Sequence, residues 1–394
     1  MQLTPQQLKG LDLPCASGKD LSILYRKILS PLYDVEVEKI PSWIAPNLLT
    51  LSGLMCTLSN TVMMLYYSPD LVSEAPKRVY LSAAFATFLY MMFDNLDGRQ
   101  ARRTNSSSPL GHLFDHGCDA LNVTILGLAV AATLRLGRSF ATLFLVWSLG
   151  MIPFFFATLE EFFCGSLTLR LINGANEGLM GIIFIFIATC LFGPSLWFQP
   201  LNLLGIRLSL QHWILCLSFP LTIPTVLFSC YAIWRHPMRT TIIYRYPFLQ
   251  SCWITFATFG LYSLAAFCWA YLAKPVFMGH FLLYMATIGL LFFRNMFYFI
   301  ISHLTHTSFP TFTFLILHLT WLMIIYLSHY ITFRGYPYTH ALTLHLYFLY
   351  HLILVSYEVI QVVRQMSNHL GIYCFRLGKR NSDRNMKHVA NKRR

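Results

Sequence analysis

A chain of 394 residues that is 56% hydrophobic and 16% aromatic, against 11% charged, carries more apolar surface than a soluble core can hide. Net charge is +13, yet part of that excess sits in residues 376–394, which hold eight Lys or Arg against one Asp and no aromatic residue. This composition excludes an ordinary soluble enzyme. A basic tail without aromatic interleaving points to a positive-inside end touching anionic lipid rather than to nucleic acid.

Residues 1–42 are polar, carry Lys9, Asp12, Lys19, Asp20, Arg26 and Lys27, and show no apolar core of a cleavable signal. Leu21, Leu24, Tyr25, Ile28 and Leu29 have a spacing compatible with an amphipathic interfacial helix over 17–37, a soluble capping helix being the alternative. Ten apolar stretches follow, most near the roughly 20 helical residues that cross a hydrocarbon core of about 30 Å. They cover 44–67, 78–93, 115–134, 139–158, 178–198, 212–234, 248–272, 276–302, 309–333 and 341–363. The runs are continuous rather than alternating, so the predicted fold is an all-α integral membrane protein with about ten transmembrane helices. Ten scattered cysteines, among them Cys15 and Cys252, form no CxxC pair and read as reduced core residues.

Acid-dependent chemistry is confined to the first half, because Glu358 and Asp383 are the only acids after residue 177. Four acids fall within residues 94–119, at the end of the second stretch and the start of the third. On helices, Asp94 and Asp97 share a face at i, i+3, and Asp115 and Asp119 share one at i, i+4. Such crowded carboxylates require bound cations or protonation, and metal is the simpler solution. An all-oxygen set suits Mg²⁺ or Mn²⁺, and four carboxylates suffice to bridge two ions around a phosphoryl displacement. Gly98 and Gly111 leave room for phosphate or backbone, and Arg102 and Arg103 offer cations to phosphate oxygens. His116, between Asp115 and Asp119, is the candidate general base.

Asp94, Asp97, Gly98, Ala101, Arg102, Gly111, Asp115 and Asp119 together resemble the CDP-alcohol phosphotransferase signature at all eight of its positions. The flanking ARRTNSSSPLG, FDHGCD and SWIAPNLLTLSG resemble the eukaryotic choline and ethanolamine phosphotransferases, and weaker likeness covers 159–181, with Glu160 and Glu177, and 367–375. The resemblance implies a ten-helix fold, often dimeric, with a cytosol-facing site in which the four aspartates bind two metals. It further implies His116 as base, Asn47 at the nucleotide, and Gly98, Ala101, Arg102 and Gly111 around the substrate. One position departs: His112 stands where the family usually has Glu, which leaves a fixed negative charge unaccounted for.

The resulting expectation is transfer of phosphoethanolamine, ahead of phosphocholine, from CDP-ethanolamine or CDP-choline to diacylglycerol or an alkyl-acylglycerol, with release of CMP. The products would be phosphatidylethanolamine or phosphatidylcholine. Ethanolamine leads because His112 could accept a hydrogen bond from a primary ammonium. Residues 1–42 would then be a cytosolic segment and 43–200 the catalytic half. Residues 201–365 would be a lipid vestibule and homodimer face, and 366–394 a cytosolic tail, in the endoplasmic reticulum or another endomembrane. Other readings keep the metal site but change the acceptor to inositol, glycerol phosphate or ceramide, with Arg135 and Arg138 as the nearest basic pair. A further reading makes the aspartates part of an ion-coupled transporter. The HLFDH run over His112 and His116 also resembles a zinc-protease pattern, which leaves Asp94, Asp97 and Asp119 without a joint role.

Overall fold

The structure is a computed structural model and describes residues 2–13, 18–169, 174–203, 205–235, 248–333 and 338–378. Cys15, residues 171–173 and the basic run 379–394 lie outside the described residues, as does the Cys252 side chain. In chain order the helices are α1 (Pro5–Gly10), α2 (Ser30–Lys39), α3 (Pro46–Tyr67), α4 (Lys77–Arg103), α5 (Pro109–Thr133), α6 (Phe140–Leu145) and α7 (Ile152–Cys164). Then follow α8 (Leu179–Phe192), α9 (Leu210–Arg235), α10 (Phe248–Leu272), α11 (Lys274–Gly279), α12 (Phe281–Leu304), α13 (Thr311–Phe333) and α14 (Thr339–Leu370). A π-helical turn, Val146–Met151, joins α6 to α7 as one span, and another, Tyr25–Leu29, leads into α2. Two-residue strands pair at Lys19–Asp20 and Thr168–Leu169, and a short hairpin joins Pro200–Leu203 to Ile206–Ser209.

Among the described residues nine helices are long and apolar enough to cross a membrane, and a tenth, Asn176–Phe192, is shorter. The chain is an all-α, multi-pass membrane protein. Exposed apolar side chains such as Phe184, Leu227, Met323 and Ile353 clothe the outer faces of α8, α9, α13 and α14, where lipid takes the place of water. Proline interrupts α9 at Pro220 and Pro224, a position tolerated in a span where neighbouring hydroxyls supply polar partners; Ser218 lies 2.9 Å from Ser148 on the adjoining span.

Several boundaries differ from the sequence expectation: the spans expected at 139–158, 178–198 and 341–363 end at Cys164, Phe192 and Leu370, and the differences at the site matter most. The second and third spans do not stop at 93 and begin at 115: α4 runs to Arg103 and α5 starts at Pro109, so every one of the four aspartates is helical. Pro109 at the first turn and the Ser108 hydroxyl, which accepts from the Gly111 N–H at 3.1 Å, start α5 early. The N-terminal amphipathic helix is also reregistered. Its buried stripe is Leu29, Tyr33 and Val37, while Leu21, Ile23 and Ile28 are exposed. The reason is Arg99 on α4, whose guanidinium donates to Asp34 at 2.9 Å, Ser30 at 2.9 Å and Tyr25 at 3.1 Å and lies over the Tyr33 ring. That anchor turns the tyrosines inward and leaves Ile28, Leu32 and Val35 facing out, as an interfacial helix requires.

The interior is held at close helix crossings. A Cβ added to Gly289 of α12 would stand 2.7 Å from the Thr124 hydroxyl and 3.0 Å from its Cβ, so α12 meets α5 where a side chain is missing. Gly289→Ala is expected to push α12 off α5 and to lower stability by about 1–3 kcal/mol, measured as an earlier thermal unfolding midpoint in detergent.

Candidate active site

The site lies where the C-terminal end of α4, the N-terminal half of α5 and the last turn of α7 meet. Carboxylate oxygens of Asp94, Asp115 and Asp119 all lie within 4.8 Å of one another, and these residues line a cavity of about 390 Å³. Asp97 is buried beside them and receives a hydrogen bond from Thr50 of α3. Tyr90, one turn before Asp94, donates to Asp119. The structure therefore brings together the four predicted metal ligands, three in a tight group and the fourth tethered from α3.

Whether these residues suit a divalent cation can be judged from the site itself. Asp115 Oδ1 is buried with no hydrogen-bond partner among the described residues, which is unfavourable unless something positive occupies the space between the carboxylates. All donors are hard oxygens, the set Mg²⁺ or Mn²⁺ takes. The residues fit such an ion.

His116 lines the same cavity, on the next face of α5. Its Nδ1 stands 3.7 Å from Glu161 Oε2, while His112 Nε2 stands 3.3 Å from Glu161 Oε1. The two imidazoles stack with centroids 4.2 Å apart. Glu161 is 4% exposed, in the last turn of α7 before Gly165, which closes the helix at φ +76° where glycine is favoured. Glu161 thus presents a carboxylate to both imidazoles from across the site. Sequence reasoning passed over Glu161; the signal available was a pair of acids, Glu160 and Glu161, inside an otherwise apolar span.

The adjacent arginines diverge. Arg103 donates to the carbonyls of Val37 and Ile40 at 2.8 and 2.6 Å and approaches Glu38 at 3.5 Å, so it clamps α2 instead of facing phosphate. Arg102 is exposed and reaches back beside Gly98. A Cβ on Gly98 or Gly111 would meet nothing closer than 3.6 Å, and Ala101 is half-buried, so protein packing does not demand the small residues there. Asn47 donates through Nδ2 to the Cys374 carbonyl at 2.9 Å, which draws the segment after α14 over the start of α3 and α5. Arg135 and Arg138 bind the loop carbonyls of Val72 and Pro69 beyond the C-terminal end of α5, so neither belongs to this site.

Beyond Asp119 the cavity turns apolar, through Leu126, Val130, Val146, Phe154 and Ile182. Phe228 on α9 lines it and is 48% exposed on the outer surface, so the cavity reaches the lipid-facing side next to α9. Of residues 201–365, where the sequence placed the lipid vestibule, α9 supplies the lining side chains.

The four aspartates fall within the part of the chain that matches a known family. A model of the CDP-alcohol phosphatidyltransferase family matches residues 43–224. The chain is similar to choline/ethanolaminephosphotransferase 2 of Arabidopsis thaliana, 33% identical over 92% of this chain and 95% of that protein. Choline/ethanolaminephosphotransferase 1 of the same plant is 41% identical over 50% of this chain and 49% of its own length. Cholinephosphotransferase 1 of Xenopus laevis is 35% identical over 52% and 50%.

Thr50→Val removes the hydroxyl that holds Asp97 while keeping the side-chain volume. It is expected to weaken Mn²⁺ binding about 10–100-fold, the usual effect of losing a group that orients a ligand, read by calorimetric titration of the purified chain.

Proposed function

The chain belongs to the CDP-alcohol phosphatidyltransferase family, and from that membership we propose that it transfers phosphoethanolamine, ahead of phosphocholine, from the CDP-alcohol to the free hydroxyl of diacylglycerol or an alkyl-acylglycerol. The single observation that carries this reading is one continuous cavity that holds Asp94, Asp115, Asp119 and the His116 imidazole at one end and mostly apolar walls at the other, where Glu160 accepts a hydrogen bond from Ser229 at 2.8 Å. Such a shape accepts a charged donor and a lipid acceptor at once, and its volume of about 390 Å³ is in the range of ligand pockets.

In the proposed site Asp94, Asp97, Asp115 and Asp119 hold two Mg²⁺ or Mn²⁺ ions, which when bound neutralise the pyrophosphate and the departing CMP. Arg102, exposed and without a hydrogen bond or ion pair among the described residues, reaches the phosphate oxygens. Gly98, Ala101 and Gly111 keep the facing surfaces of α4 and α5 low for the nucleotide. Asn47, its amide donor turned to Cys374, keeps Oδ1 toward Gly111 and the nucleotide.

His116 performs the proton transfer. Glu161 accepts from its Nδ1–H, a contact of 3.7 Å that tightens in the substrate complex, as such contacts do. The opposite nitrogen, Nε2, then carries a lone pair toward the acceptor hydroxyl. As Nε2 takes the hydroxyl proton, the alcohol oxygen attacks the phosphorus that bears the head group, the bond to the bridging oxygen breaks and CMP leaves. Glu161 stabilises the imidazolium so formed, and the apolar end of the cavity keeps water from competing as nucleophile.

His112 and Glu161 together support ethanolamine over choline, because a primary ammonium donates hydrogen bonds to a carboxylate and an imidazole and a quaternary one does not. Hydrogen bonds join residues 2–13 to α14 close to the site, through Leu3 to Gln365 and Asp12 to His369. Together with the basic sequence of residues 376–394, this supports a cytosolic mouth in the endoplasmic reticulum or a related endomembrane. The lipid enters sideways past Phe228, and a second copy of the chain packs on the outer faces of the later spans.

The test is CMP release by the purified chain with diacylglycerol, Mg²⁺ or Mn²⁺, and either CDP-ethanolamine or CDP-choline. Metal-dependent release is expected, larger with CDP-ethanolamine, falling at least about 100-fold in His116→Ala and to background in Asp115→Asn. No CMP with either donor would sink the reading and bring the ion-transport alternative forward. Gly98→Leu, which adds bulk where the protein has room, is expected to raise KM for the CDP-alcohol several-fold with an unchanged melting temperature; an unchanged KM would remove Gly98 from the substrate surface.

A further inference from the structure

His116 has two edges. One faces the carboxylates, and the other faces a group of residues that phosphoryl transfer does not need in full. We propose that His112, His116 and Glu161, with His303 beside them, form a second metal site for a borderline transition ion such as Zn²⁺, and that its occupation silences the enzyme. The silencing rests on His116 being the base; the site itself does not.

Two donor spacings already match such a site, and the stacked rings of His112 and His116 reach it by turning about their side-chain torsions until both lone pairs point at one ion. Zinc bonds of about 2.0–2.2 Å at tetrahedral angles set neighbouring donor atoms roughly 3.3–3.5 Å apart. His112 Nε2 lies 3.3 Å from one Glu161 oxygen and His116 Nδ1 lies 3.7 Å from the other. One donor atom from each of the three residues falls within 4.8 Å of the rest. Two imidazoles and one carboxylate with a fourth position open is a donor set that zinc accepts, whereas Mg²⁺ demands oxygen. The two neighbouring sites are therefore separated by chemistry as well as by position.

One orphaned group and one strained pairing point to a guest. His303 Nε2 is buried with no hydrogen-bond partner among the described residues, and the buried His112 Nε2 meets only Glu161 Oε1, at 3.3 Å and without hydrogen-bond alignment. His303, on the last turn of α12, is 8% exposed, and its ring centroid is 5.9 Å from that of His112. A buried imidazole nitrogen without a partner is unfavourable, and a metal ion satisfies such a nitrogen. The scaffold is also rigid there, with Glu161 held by the helix end at Gly165 and α12 seated closely on α5.

Occupation acts on the base through its tautomer. A metal on Nδ1 takes that nitrogen's lone pair, so the ring proton must sit on Nε2. An Nε2–H cannot accept the hydroxyl proton, and the acceptor stays protonated even with the aspartates fully loaded.

The experiment uses the full chain in detergent under saturating Mg²⁺, titrated with Co²⁺ as a visible stand-in for Zn²⁺. One equivalent is expected to give the d–d absorption of a tetrahedral site, removed by Zn²⁺ and unaffected by more Mg²⁺. The band should vanish in His112→Gln and in Glu161→Gln and persist in Asp115→Asn. No band in the wild type, a band surviving in both of the first two variants, or one displaced by Mg²⁺ would overturn the site. If a variant fails to elute as a single species, the Zn²⁺ and Mg²⁺ competition in the wild type decides. CMP release should fall with the same Zn²⁺ midpoint that bleaches the band. A bleached band with undiminished turnover would leave the site standing and remove the silencing, whereas absence of turnover at every Zn²⁺ concentration would instead count against the phosphotransferase reading.

Discussion

Three carboxylates with oxygens inside 4.8 Å of one another, embedded in an apolar bundle, set the conditions that the surrounding structure meets. Two like charges about 4 Å apart repel by roughly 4 kcal/mol at an effective dielectric of 20. Such an arrangement persists when helices hold it rigidly and donors or cations offset it. Here α4 and α5 run without a break through the cluster, and α3 packs along both. Thr50 and Tyr90 supply hydroxyl donors to Asp97 and Asp119. Asp115 keeps one oxygen without a partner among the described residues, an opening that suits a cation.

The same crowding explains how the site is divided. Carboxylates occupy one side of α5 and imidazoles the next, with Glu161 brought from α7 so that His116 meets a negative charge outside the carboxylate group. A negative residue at position 112 on α5 itself would serve that end equally. In this chain the imidazole of His112 and the carboxylate of Glu161 form the pair across two helices. The mostly apolar part of the cavity starts beyond Asp119, which in the proposed reaction would set a lipid hydroxyl beside a charged donor and away from bulk water.

Peripheral segments close over this arrangement from one end. Arg99 and Arg103 point away from the aspartates and grip α2, while the Arg102 side chain has no hydrogen bond or ion pair among the described residues. Successive helical residues differ by about 100° in direction, so Arg99 and Arg103, four apart, share a face and Arg102 is turned off it. Asn47 and Cys374 tie the segment after α14 to the start of α3.

Much of this was legible in the residue order. Continuous apolar runs determined a helical membrane fold, since a chain in lipid must satisfy its backbone internally. Asp94 and Asp97, and Asp115 and Asp119, spaced at helical intervals, paired on one face of each helix because that spacing acts within single helices and needs no knowledge of the fold, while the meeting of the two pairs needed α4 and α5 to pack. What depended on contacts between distant segments could not be read this way. Glu161 lies 45 residues from His116 in sequence, and no periodicity links them; the crossing of α7 and α5 alone brings them within 3.7 Å. Arg103 and Arg102 look alike as letters and part company because α2 folds back over one of them. The tilt of the N-terminal helix likewise followed Arg99, not its own apolar spacing. Local intervals decided which residues share a face, and the packing of whole helices decided what each face meets.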